Sequence, residues 1–110
     1  MIRDTLAQIE ARIQGSTSLP EDRRKELLSL VATLKSEVTH LSETHTDEAK
    51  SIAGFADLSA HEATRPEQDP QLLKLSLQGL SSSVRGFEHS HPRLVQIVNA
   101  ISNTLSNLGM

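Results

Sequence analysis

The fold class is decided by residues 27–41, LLSLVATLKSEVTHL, in which apolar side chains recur at alternating intervals of four and three residues. These positions are Leu27, Val31, Leu34, Val38 and Leu41. The spacing is that of the apolar seam along a helix that packs on another helix, as in a coiled coil. The stretch therefore predicts an amphipathic α-helix.

The same helical spacing extends to both sides of this stretch. Ile2, Leu6, Ile9 and Ile13 predict a short helix over residues 2–14. The second helix begins at Pro20, because proline is tolerated in a first helical turn, and its register runs on to residue 63. Two of its seam positions, His45 and Glu48, are polar. They leave open whether residues 20–63 form one helix or two collinear helices broken near 43–47.

A third helix is predicted over residues 70–108. It begins at Asp69-Pro70, an N-cap acid followed by a proline at the first helical position. Pro92 lies inside the segment and predicts a kink at 90–92, because proline removes a helical hydrogen bond. No segment alternates with a period of two, so the chain is predicted to be all-α.

These elements predict a single helical domain over residues 1–110, made of the short helix and a long antiparallel helical hairpin. A continuous helix over 20–63 would be about 65 Å long. One end of the hairpin, formed by 47–63 and 70–90, has only two helices, which cannot shield their apolar side chains from water. We therefore predict a homo-oligomer, most simply a dimer that forms a helical bundle. The expected interface is Ile52, Phe55, Leu58, Leu73, Leu77, Leu80, Val84 and Phe87.

Composition excludes several classes of protein. The chain has 110 residues, no cysteine and a net charge of −3, which argue against a disulfide scaffold and a general nucleic-acid binder. It is 36 % hydrophobic, yet no apolar run is long enough to cross a bilayer and no signal peptide follows Met1. We expect a cytoplasmic protein that binds neither nucleic acid nor membrane.

Two Glu-x-x-His pairs, Glu37/His40 and Glu88/His91, are the sharpest chemical signal in the sequence and are typical of a metal site. The same spacing occurs in di-iron four-helix bundles, where both pairs face the core. Here His91 falls on the seam with Glu88 beside it, whereas His40 falls on an outer position. A metal-binding helical bundle is therefore the alternative hypothesis, and no cofactor is expected under the leading one.

No arrangement of residues predicts catalysis. His89-Ser90-His91 lacks an accompanying acid and a strand-turn-helix elbow. Residues 79–86, GLSSSVRG, lack the lysine of a phosphate-binding loop and instead favour a tight contact between helices, with a ligand groove between helices as the alternative. The leading hypothesis is a non-enzymatic protein that acts through oligomerisation or contact with a protein partner.

The carboxyl-terminal part resembles a family of small bacterial proteins of unknown function. The resemblance rests on residues 87–94, FEHSHPRL, which are similar to the family motif Phe-Glu-x-Ser-His-Pro-x-Leu, and on residues 105–109, LSNLG. It implies a helical structure and a bacterial, cytoplasmic origin. It implies no known activity, so no functional residue is carried over.

Overall fold

The computed structural model describes residues 2–108 and contains five α-helices within them. They are α1 (Ile2–Gln14), α2 (Glu21–Leu41), α3 (Thr46–Thr64), α4 (Pro70–Ser83) and α5 (Pro92–Leu108). No strand occurs in residues 2–108. The predicted all-α class is confirmed.

The helices form a closed bundle in which α1, α2, α5, α4 and α3 follow one another around a ring. α3 also touches α2 and α5, so it contacts all four other helices. The bundle measures 37 × 24 × 22 Å. It is a compact bundle with α3 at its centre, whereas the sequence predicts an extended hairpin.

The chain reverses direction at residues 42–45. The sequence leaves open whether residues 20–63 form one helix or two, and the structure contains two, α2 and α3. The N–H groups of Ser42 and His45 donate to the last carbonyl groups of α2, and the Ser42 hydroxyl donates to the Thr39 carbonyl oxygen at 2.6 Å. His45 precedes α3 with a φ of −132°, outside the helical region. The polar residues of this segment thus satisfy the end of α2, and α3 returns to pack on α1.

Residues 84–91 interrupt the helix predicted over residues 70–108 and divide it into α4 and α5. This interruption is wider than the kink expected at 90–92. Gly86 adopts a φ of +96°, which a residue with a side chain rarely adopts. Its N–H donates to a Glu88 carboxylate oxygen at 2.8 Å. The turn at Gly86 therefore separates two helices, and Pro92 begins the second of them.

The core combines leucine-rich seams with a helix of small residues. The seam of α2 is fully buried, as are Leu6, Ile9 and Ile13 of α1. α3 instead buries mainly alanines. These are Ala49, Ala53, Ala56, Ala60 and Ala63. Small side chains let α3 lie close to its neighbours, which explains how one helix can contact four others.

None of the helices in residues 2–108 is both long enough and apolar enough to cross a lipid bilayer.

Candidate interaction surface

Four large apolar side chains are exposed on one face of the bundle. Phe55 and Leu58 of α3 are 37 % and 44 % exposed, and Leu72 and Leu75 of α4 are 42 % and 51 % exposed. We call these four residues the α3–α4 patch. Single exposed apolar residues are ordinary on protein surfaces, but a group on two adjacent helices is typical of an interaction site.

The packing of Phe55 on Gly79 sets the position of α3 against α4. A Cβ atom added at Gly79 would lie 2.3 Å from Cε1 of Phe55, so the ring rests directly on the glycine backbone. α3 and α4 are joined by the short segment 65–69 and run antiparallel. One turn further along α3, Leu58 therefore lies level with the turn of α4 that carries Leu72 and Leu75. By this helical geometry the four side chains fall on the same side of the α3–α4 pair.

The charged side chains of α3 and α4 nearest to the α3–α4 patch are paired, buried or on another flank of the helix. The only charged residue within α4 is Lys74, and it lines a groove on the opposite flank of that helix, beside α5. On α3, the Oδ1 atom of Asp57 lies 3.4 Å from Nη2 of Arg12, and Glu62 is buried, with its Oε1 atom 3.0 Å from Nη1 of Arg65. Interface centres are likewise depleted in charged residues.

Alanine substitutions at two helical glycines test how closely α4 approaches α3. Gly54→Ala is expected to raise the free energy of unfolding by about 0.5–1 kcal/mol, because alanine favours helix and nothing lies within 4 Å of the added Cβ. Gly79→Ala gains the same propensity but must displace the Phe55 ring, so we expect it to be less stable than Gly54→Ala by at least about 1 kcal/mol. Urea unfolding of both variants measures the difference. Equal stabilisation would contradict the observed packing.

The eight residues predicted as a dimer interface are divided by the fold. Ile52, Leu73, Leu80 and Val84 are buried within the chain, so they cannot contact a second copy. Leu77 and Phe87 are half-buried, and only Phe55 and Leu58 are exposed. The expectation of an open two-helix end is wrong because α1 and α2 pack on α3, and α5 packs on both α3 and α4. The tight contact expected around Gly79 is also made within one chain.

Leu72 and Leu75 complete the patch and were missed by the sequence reasoning. Both lie off the heptad seam of α4, which passes through Leu73 and Leu80. The sequence feature that could have identified them is the leucine-rich run of residues 72–77, LLKLSL. Its apolar side chains cover a wider arc of the helix than one buried seam requires, which indicates apolar residues outside the seam.

The fold brings the two Glu-x-x-His pairs to the same end of the bundle, where each member has another partner. A carboxylate oxygen of Glu37 lies 3.9 Å from Nε of Arg93, and one of Glu43 lies 3.8 Å from Nδ1 of His40. Glu88 accepts the Gly86 N–H. Within residues 2–108, no three His, Cys, Asp or Glu side chains are grouped so that they could hold a metal ion.

His91 belongs instead to a three-ring cluster with His45 and Phe87. The ring centroids lie 5.6 Å apart for His45 and Phe87, 5.4 Å for Phe87 and His91, and 6.1 Å for the two histidines. All three pairs are edge-to-face, the arrangement that aromatic rings prefer. The cluster joins the turn before α3 to the turn before α5.

Comparison with known proteins identifies a family but no activity. The family model described as "Domain of unknown function (DUF4404)" matches residues 2–110. The match confirms the resemblance to a small helical family of unknown function. No curated protein and no solved structure matches the chain.

Proposed function

This chain belongs to the DUF4404 family, whose name assigns no activity, and we propose that it acts by protein–protein contact through the α3–α4 patch. The occupant we propose is a second copy of the chain, which makes the protein a non-catalytic dimerisation module. The observation that carries the proposal is the group of four exposed apolar side chains on two adjacent helices.

The charge distribution favours a second copy over a strongly charged partner. Each chain carries a net charge of −3, so two copies repel one another wherever charged faces meet. A two-fold dimer places the same patch of both copies face to face. The four residues of the α3–α4 patch are uncharged, so contact between the patches of two copies does not bring their side chains together as like charges.

The size of the patch sets the expected strength of the dimer. Four partly exposed side chains supply only the centre of an interface. We expect a small interface, with a total buried area below about 1,200 Å², the low end of the range for specific complexes. We therefore expect a dissociation constant on the order of micromolar, with each chain folded on its own.

The decisive experiment is sedimentation equilibrium of the parent protein and of Leu75→Glu, from about 1 µM to about 1 mM. The substitution places two carboxylates opposite one another in the dimer, and like charges at an interface are strongly unfavourable. We expect the dissociation constant to rise at least about tenfold, while the far-ultraviolet circular dichroism spectrum is unchanged.

The matched control is Ala32→Glu, which adds the same charge at an exposed apolar position of α2, away from the patch. Its dissociation constant is expected to stay close to that of the parent. A parent protein that is monomeric at every concentration would contradict dimerisation. A dimer that Leu75→Glu leaves intact would contradict the choice of surface.

A further inference from the structure

A second feature lies on the opposite flank of α4, where α4 and α5 form an open groove. Its volume is about 860 Å³. Leu73 and Leu77 contribute apolar surface to it, and Pro70 lies at one end. The groove does not include any residue of the α3–α4 patch, so it is independent of the proposed dimer.

The groove is positively charged, although the chain as a whole is negative. Lys74 and Arg85 both line it, and neither pairs with a carboxylate among residues 2–108. Neither α4 nor α5 contains an acidic residue. Lys74 lies in α4, whereas Arg85 lies two residues beyond its end, where its N–H still donates to the Ser82 carbonyl oxygen. The two cations are eleven positions apart, and a helical rise over that stretch separates them by roughly 16 Å.

Hydrogen-bonding groups line the groove between the two cations. Ser81 and Ser82 come from α4, and Ser102, Asn103 and Ser106 come from α5. The Ser102 hydroxyl oxygen is buried and has no hydrogen-bond partner within residues 2–108. An unsatisfied buried hydroxyl is costly, and a ligand that it reached by rotation of the Ser102 side chain would remove that cost.

We propose that this groove binds an extended acidic peptide with two carboxylates about five residues apart and an apolar side chain between them. An extended chain advances about 3.3 Å per residue, so five residues span the distance from Lys74 to Arg85. Its N–H and C=O groups are unpaired and can use the serine and asparagine side chains, which a helical peptide cannot. Its apolar side chain contacts Leu77.

The test is a nuclear magnetic resonance titration of ¹⁵N-labelled Leu75→Glu protein with acetyl-Glu-Gly-Leu-Ser-Gly-Glu-amide at low salt. The Leu75→Glu background keeps the result independent of dimerisation. We expect shifts at the backbone amides of Leu77, Ser81, Ser102 and Ser106. Lys74→Gln and Arg85→Gln should each weaken binding by roughly two- to fivefold, the range for one exposed ion pair.

Two controls separate specific binding from general attraction between charges. Lys25→Gln removes one exposed cation of α2 and is expected to leave the affinity unchanged. The peptide with glutamine in place of both glutamates should bind roughly tenfold more weakly or not at all, from the loss of two ion pairs.

Three results would overturn the proposal. The first is shifts that lie outside the groove or are absent at millimolar peptide. The second is an affinity that Lys74→Gln and Arg85→Gln do not change. The third is equal affinity for sebacate, a linear dicarboxylate without peptide groups, which would show that the serine-rich walls recognise no backbone.

Discussion

Replacing Leu80 by alanine is expected to lower the free energy of unfolding by about 3–5 kcal/mol, as for other fully buried leucines. Leu80 is 0 % exposed and lies in α4 at the centre of the core. Its removal leaves a cavity that the surrounding helices cannot fill without moving. Urea unfolding followed by circular dichroism measures the loss.

The matched control is Leu75→Ala, the same chemical change in the same helix at a side chain that is 51 % exposed. It is expected to cost less than about 1 kcal/mol. Because Leu80 is covered by its own chain, its effect should be the same at about 2 µM and about 200 µM protein, near and well above the dissociation constant expected for the dimer. A loss at Leu80 that depends on concentration would show that a second subunit covers this residue.

Phe87→Ala is expected to lower the free energy of unfolding by about 2–3 kcal/mol. The side chain is only half-buried, so the loss of apolar burial is smaller than in a full core position. The substitution also removes the edge-to-face contacts with His45 and His91, each worth about 0.5–1.5 kcal/mol. Without them, the turn at 42–45 loses its connection to the turn at 84–91.

Phe87→Leu separates the two contributions, since leucine restores apolar volume but not the aromatic ring. We expect it to recover about half of the stability lost in Phe87→Ala. Urea unfolding of both variants provides the numbers, and the chemical shifts of the His45 and His91 rings report whether the two turns have separated. If Phe87→Leu is as stable as the parent, the ring contacts contribute nothing measurable.

The helices α1 and α2 could be predicted almost completely from the sequence. Each has a narrow seam of large aliphatic residues that is buried along its whole length, such as Ile9 in α1 and Leu34 in α2. For a helix with one buried stripe, the spacing of large apolar residues identifies both the element and its inner face.

The position of α3 could not be predicted in the same way. The heptad numbering passes from Leu41 through His45 and Glu48 to Ile52 without a change of phase, although the chain turns between them. Counting residues does not detect a reversal, because a turn of suitable length preserves the phase by coincidence. The polar residues that end α2 were the better signal.

The same counting explains why the candidate surface was predicted only in part. Phe55 is on the heptad phase that continues through Ile52, and Leu58 is a large apolar residue of the same segment, so both are predicted at the interface. In the structure they lie at the edge of that helix, and the buried face consists of alanines, which a search for large apolar residues passes over. The exposed leucines of α4 were missed for the complementary reason that they lie outside a seam.

The alanine face of α3 also limits how this protein can change over evolutionary time. Positions such as Ala56 and Ala60 are buried in the close-packed core, where a larger side chain must displace its neighbours. A leucine in α2 can exchange for methionine or isoleucine at little cost, since volume is nearly conserved. We expect family members to vary freely in the identity of their large aliphatic residues. They should keep small residues on the buried face of α3, so the alanines of this helix are expected to vary least.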